Sequence, residues 1–237
     1  MSESAPPLGV SHGLVVVGAS WGGLTVLSRL VADLPADLAL SIAIVQHRSK
    51  ESDHVLAQLL QDRAELRVRE VEDKEPIVPG HVYVAPPDYH MLVDLVADQP
   101  HFSLTVDPPV RYSRPSIDVT FMSAADAFGP RAVGVVLTGA NEDGAAGLRR
   151  IVDRGGHAIV QDPDTAEVRT MPLAARRAVP SAEVLPIEHI GPRLLTLVGR
   201  RLGAAPAVGP RGRHARTRPL GDRADGAAGA GSRPGSS

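Results

Sequence analysis

An α/β fold, a doubly wound and mostly parallel sheet with helices on both faces, is the class this sequence predicts, and three observations carry it. Short runs that are apolar on both faces, beginning with Leu14-Val15-Val16-Val17, alternate with stretches whose apolar residues recur at helical spacing. Glycine-rich or polar turns follow several of those runs at their C-terminal ends. Strands that lack an inside-outside alternation need cover on two sides, which a parallel sheet obtains from its crossover helices.

In chain order, Leu14-Val17 is the first predicted strand and ends at Gly18. Residues 24–34 follow as a helix, with Leu24, Leu27, Leu30, Val31 and Leu34 on one face. Leu40 to Val45 is a second buried strand, and a helix is expected around Asp53 to Leu60. Residues 66–106 break the rhythm. Arg67-Val71, Val82-Ala85, His90-Leu95 and Phe102-Val106 alternate apolar and polar side chains, with turns at Pro79-Gly80 and Pro86-Pro87-Asp88. They predict antiparallel hairpins that extend the sheet. The alternation of strand and helix then resumes: strand Ala132-Leu137, helix Ala145-Val152, strand His157-Val160, helix Pro172-Ala178 and a last short strand Ala182-Leu185.

The length of 237 residues suits one domain with appendages, divided here as a short extension (1–13), a folded domain (14–202) and a tail (203–237). The tail is rich in Gly, Ala, Pro and Arg and nearly free of bulky apolar residues. It cannot bury enough surface to offset its ordering entropy, so disorder is expected there. Its six arginines against Asp222 and Asp225 make it locally basic, the pattern of a solvated tail. The whole chain carries a net charge of -2, so bulk electrostatics point to no nucleic-acid partner. Neither a signal peptide nor an apolar run of roughly 20 residues is present, so no membrane insertion and a cytoplasmic location are expected. Without cysteine there is no disulfide, thiol nucleophile or Cys-ligated zinc, and the nine histidines show no H-x-x-x-H spacing. No metal or cofactor is expected.

The first chemical signal is Gly18-Ala19-Ser20-Trp21-Gly22, which matches G-x-S-x-G at a strand-to-helix junction. Such a turn lifts a serine hydroxyl into an open site, and the N-H groups of Trp21 and Gly22 could hold an oxyanion. A phosphate-binding turn would use the same N-H groups. The dinucleotide pattern G-x-G-x-x-G fails, however, because Ser20 stands where its second glycine would be. A base is supplied by His47, just past the second strand in Val45-Gln46-His47-Arg48. Asp143, in Leu137-Thr138-Gly139-Ala140-Asn141-Glu142-Asp143-Gly144, follows another strand. It reads as an orienting carboxylate, as the N-cap of the next helix, or as both, with Glu142 one residue away as an alternative. Parallel strands deliver all three loops to one edge of the sheet, where α/β proteins bind ligands.

Taken together, the strings GASWGG, VQHRS, PGHVYVAPPDYHM, RPSIDVTF, AVGVVLTGANEDGAAGL and Met171-Pro172 resemble the catalytic domain of chemotaxis protein-glutamate methylesterases, the CheB family. The resemblance runs in order through about residues 14–187. It implies a Ser20, His47, Asp143 triad, hydrolysis of glutamate γ-methyl esters on chemoreceptors and, in many members, deamidation of receptor glutamine. The partner implied is the methylated cytoplasmic region of a chemoreceptor. Arg114 lies in a family motif and is expected either to meet the acidic receptor or to pair with Asp118. Where the family has threonine or alanine, this chain has Trp21; its usual LTGMG is here Leu137-Thr138-Gly139-Ala140-Asn141. Trp21 is expected to fill the space left by Ala140, and Asn141 to tolerate a left-handed backbone. Thirteen residues before the first strand leave no room for the receiver domain that members commonly carry, so the expectation is either a constitutively open site or control by a separate regulatory protein. The rival expectation is a non-catalytic binding module that retains the fold.

Overall fold

The computed structural model describes residues 13–50 and 54–202, with the side chains of 198–202 left aside. The expected extension (up to residue 12) and the tail therefore lie outside the described residues, as does Asp53. Among the described residues nine strands and six α-helices follow one another: β1 (Leu14–Ala19), α1 (Gly23–Ala32), β2 (Ser41–Gln46), α2 (Leu56–Gln61), β3 (Arg67–Glu70), β4 (His81–Val84), β5 (His90–Val96), β6 (Gln99–Thr105), α3 (Ile117–Phe128), β7 (Ala132–Val136), α4 (Ala145–Asp153), β8 (His157–Gln161), α5 (Thr170–Ala178), β9 (Glu183–Leu185) and α6 (Ile187–Leu202). Seven strands form one parallel sheet in the order β3-β4-β2-β1-β7-β8-β9. None of the described helices is long and apolar enough to cross a membrane.

The apolar runs behave as their lack of alternation requires. Leu14 and Val16 of β1 face a core shared with Phe121, Phe128, Leu148 and Met171, while Val15 and Val17 face Leu27, Leu30, Val31 and Ile190. Helices α3, α4 and α5 thus cover one face and α1, α2 and α6 the other.

Two expectations need correction. Residues 66–106 do not form hairpins throughout. β3 and β4 join the main sheet in parallel, and only β5 and β6 are antiparallel, as a separate two-stranded ribbon. Exposed Arg67 and Arg69 of β3 make the strand look like a hairpin arm, because an edge strand has one solvent-facing side. Helices α3 and α6 were not expected. The run Ile117-Asp118-Val119-Thr120-Phe121 is β-branched and aromatic, but its Ser116 N-cap accepts the Val119 N-H and its apolar face packs on β1 and β7.

The chain reverses its direction of travel across the sheet at β1. From there it runs outward to β2 and on to the edge strand β3, comes back to β4 between those two, and later enters β7 on the other side of β1. The register pairs Ala19 with Gln46 and Gly18 with Val136, so the loops after β1, β2 and β7 leave the sheet at one level. A crevice opens at such a reversal.

Gly18 permits more than a turn. A Cβ there would lie 2.4 Å from Ile117 Cγ2, so its hydrogen lets the first turn of α3 reach the end of β1. Gly18→Ala is accordingly expected to cost about 1–3 kcal/mol in urea unfolding. Ile117→Ala should destabilise by itself but recover part of that cost in the double variant, through a coupling of at least about 0.5 kcal/mol. Strictly additive losses would mean that the contact does not limit the packing.

Candidate active site

The loop after β1 holds Ser20 by its backbone. Ser20 N-H donates to the Thr138 carbonyl at 3.0 Å, and the Ser20 carbonyl accepts from Gly23 N-H at 2.9 Å and Gln46 Nε2 at 2.7 Å. Gly22 takes the left-handed conformation with φ 77°, which bends the chain into α1. The N-H groups of Trp21 and Gly22 donate to no acceptor among the described residues. His47 N-H donates to the Ala19 carbonyl at 3.0 Å, so the base loop is stitched to the serine loop.

His47 and Asp143 meet directly. Nε2 of His47 lies 2.8 Å from Asp143 Oδ2, with the carboxylate fully buried and the imidazole 11% exposed. That contact assigns the proton to Nε2 and leaves Nδ1 as the acceptor nitrogen. Ser20, His47 and Asn141 all line one cleft of about 640 Å³, which Arg111, Tyr112 and Arg114 border. Ser20 and His47 share this cleft without a direct hydrogen bond, a looser contact of the kind unliganded sites often show.

Asp143 is held by a helix that the sequence reading overlooked. Its Oδ1 accepts from Ser116 Oγ at 3.0 Å and Asp118 N-H at 3.0 Å, and its Oδ2 from Ile117 N-H at 2.7 Å. The expected cap on α4 is therefore corrected. Gly144 occupies that position without a side-chain cap, and Asp143 instead satisfies the N-terminus of α3. Burial alone would raise its pKa. Hydrogen bonds from His47 and from the Asp118 and Ile117 N-H groups outweigh burial and hold the carboxyl below its ordinary value. Asp118 moves the other way, raised by burial and by the Asp143 charge despite donors at Gly147 and Gly144 and the Arg111 guanidinium.

Ser116 and His90 also gather near Asp143, forming a second serine–histidine–aspartate contact set. Its geometry suits structure better than catalysis. Ser116 is wholly buried and spends its hydroxyl on Asp143, while His90 Nδ1 faces the Ser116 backbone N-H rather than its hydroxyl.

The remaining candidates are partly rearranged. Arg114 borders the cleft, but its guanidinium is spent on Asp88 (3.0 and 2.5 Å) and on the carbonyls of Val106 and Asp107. Asp118 pairs with Arg111 at 3.4 Å instead. Glu142 points to Arg111 and Arg177, not to His47. Trp21 does not fill a space beside Ala140: its ring is 67% exposed and its Nε1 donates to Glu167 Oε1 at 3.1 Å. Asn141 needs no left-handed backbone. Its Oδ1 accepts from Asp143 N-H at 3.0 Å, and its Nδ2 lies 3.5 Å from His47 Nδ1.

Comparison with known proteins agrees with this architecture. The family model described as CheB methylesterase matches residues 15–194. A Leptospira interrogans protein assigned as a protein-glutamate methylesterase/protein-glutamine glutaminase is 39% identical over 188 residues, covering 79% of this chain and 96% of its own length. Proteins of the same name from Nocardioides sp. and Caulobacter vibrioides are 40% and 44% identical over 84% and 75% of this chain. The chain spans only 54% and 52% of those two. The crystal structure of the Thermotoga maritima CheB methylesterase catalytic domain superposes with a TM-score of 0.78 at 33% identity, covering 80% of this chain and all of that one.

Proposed function

The chain belongs to the CheB methylesterase family, and from that premise we propose that it hydrolyses glutamate γ-methyl esters on the cytoplasmic region of a chemoreceptor, with glutamine deamidation through the same site. The observation that carries the reading is the 2.8 Å contact between His47 and the buried Asp143, in the cleft that Ser20 also lines.

The geometry supports a route without metal or cofactor. Ser20 Oγ attacks the ester carbonyl as His47 Nδ1 takes its proton, and Asp143 stabilises the imidazolium through Nε2. Negative charge on the carbonyl oxygen falls to the free N-H groups of Trp21 and Gly22. His47 returns the proton to the departing methoxide, and methanol leaves an acyl ester on Ser20. Water, deprotonated by His47, then releases the glutamate carboxylate and restores Ser20. Glutamine would follow the same steps with ammonia as the first product. Arg114 acts here by bracing the cleft wall through Asp88.

The test is methanol release from a methylated cytoplasmic chemoreceptor fragment. Release that follows enzyme concentration is expected, together with a Ser20-containing peptide carrying the trapped acyl group. A folded chain that frees no methanol would sink the receptor reading.

A further inference from the structure

Aromatic residues are few here: one Trp, three Tyr and three Phe. Tyr83, Phe102, Phe121 and Phe128 are completely buried. The three that remain exposed all belong to the catalytic edge. Trp21 follows Ser20, Tyr89 follows the cleft residue Asp88, and Tyr112 borders the cleft with its side chain wholly in solvent. A solvated aromatic ring stabilises no core, and Trp, Tyr and Arg are the side chains over-represented at binding hot spots.

Tyr112 is also held out by its backbone. Val110 and Ser113 exchange both of their N-H to carbonyl hydrogen bonds, at 3.1 and 2.9 Å, which closes a two-residue turn. The two residues at its tip, Arg111 and Tyr112, both have positive φ (49° and 64°), a conformation that favours glycine or asparagine. The base of this loop is clamped where Arg114 grips Asp88 and the carbonyls of Val106 and Asp107. Strain of this kind gathers at ligand-contacting sites. Across the elbow, the Trp21 ring is steadied by its bond to Glu167, so that ring and the Tyr112 backbone have little freedom left to lose on contact.

The charges indicate what the rings would meet. Four cations, Arg48, Lys50, Arg111 and Arg114, line the cleft with one acid, Asp88; Arg48 is paired with Glu70 and Arg114 with Asp88, which leaves Arg111 as the more loosely held guanidinium. Arg111 is half exposed and touches Asp118 and Glu142 only at 3.4 and 3.8 Å, contacts loose enough to exchange for a partner carboxylate. We propose that Tyr112, on its strained turn, and Trp21 are docking anchors for an acidic protein segment carrying the ester, with Arg111 meeting its carboxylates. This rests on the protein-ester reading given above and adds the residues that would select a protein over a small ester.

The experiment compares the wild type, Tyr112→Gly and Tyr112→Phe. It reads methanol release from the methylated chemoreceptor fragment, sulfonylation of Ser20 by a small sulfonyl fluoride, and thermal midpoint. Glycine suits the positive φ, so Tyr112→Gly should melt at a higher temperature while KM for the fragment rises about tenfold and kcat stays within about twofold. Tyr112→Phe should keep the wild-type KM. An unchanged KM in Tyr112→Gly overturns the proposal. So does a joint fall in kcat and sulfonylation rate, which would make Tyr112 a support of the site itself. Wild-type protein that is sulfonylated at Ser20 but frees no methanol fails the receptor reading, and the docking proposal falls with it.

Discussion

Replacing Ser20 by alanine is expected to lower methanol release by about six orders of magnitude, the loss seen when the nucleophile of a serine triad is removed. The same change should leave the thermal midpoint nearly where it was. Everything that the structure asks of Ser20 for folding passes through its backbone: the N-H held by Thr138, and the carbonyl held by Gly23 and Gln46. Alanine keeps all three. Its hydroxyl, in contrast, makes no hydrogen bond among the described residues and is free for chemistry. A residual acceleration of about 10³-fold over water would remain, because the Trp21 and Gly22 N-H groups and the cleft persist. Ser116→Ala is the informative contrast. It should cost about 1 kcal/mol through the lost cap of α3 and remain active. Were Ser20→Ala to keep its activity while Ser116→Ala lost it, the nucleophile would have to be reassigned. Release from neither the wild type nor any variant, with a reactive Ser20, would point to another ester. An unreactive Ser20 would favour the binding-module reading.

What the sequence made legible divides along the same lines. Periodicity alone located the core strands, since Leu14 to Val17 or Ala132 to Leu137 can satisfy every apolar side chain only between two helical layers. Once the strands are parallel, three post-strand loops must share an edge, and the positions of Ser20, His47 and Asp143 follow. Long-range pairings stayed hidden because nothing local encodes them. Ile117 to Phe121 carries strand-like side chains. It becomes a helix because Ser116 caps it and Asp143, 26 residues on from Ile117, accepts its first N-H groups. Arg114 offered no local sign that Asp88 rather than Asp118 would hold it. The parallel pairing of β3 with β4 was equally silent, as the crossover through residues 71–80 contains no helix to announce it.

The Asp143→Asn variant tests whether that unanticipated helix contact sets the chemistry. Asparagine keeps the shape but must point its amide nitrogen somewhere. Oδ1 of Asp143 accepts from Ser116, Asp118 and Gly144, so the asparagine oxygen is best placed there and its nitrogen at the Oδ2 position. That nitrogen then faces His47 Nε2 and the Ile117 N-H. Nε2 must become an acceptor, which moves the ring proton to Nδ1, the nitrogen that has to receive the proton of Ser20. A histidine in the wrong tautomer costs about 10⁴ in kcat. The Ile117 N-H also loses its acceptor in a buried site, at about 1–3 kcal/mol of stability. The pH dependence gives an independent check of sign. The folded-state pKa of Asp143 lies below its ordinary value, so its stabilisation is complete above about pH 4 and is lost as pH falls through the folded pKa. Asp118, raised in the folded state, contributes with the opposite sign as it takes up a proton at higher pH. Wild type and Asp143→Asn should therefore differ most in urea midpoint near pH 7 and converge toward pH 3. A gap that holds constant from pH 7 to pH 3 would show that the carboxylate charge contributes nothing to the cradle at the head of α3. The kinetic loss would then rest on the tautomer of His47 and not on the charge of Asp143.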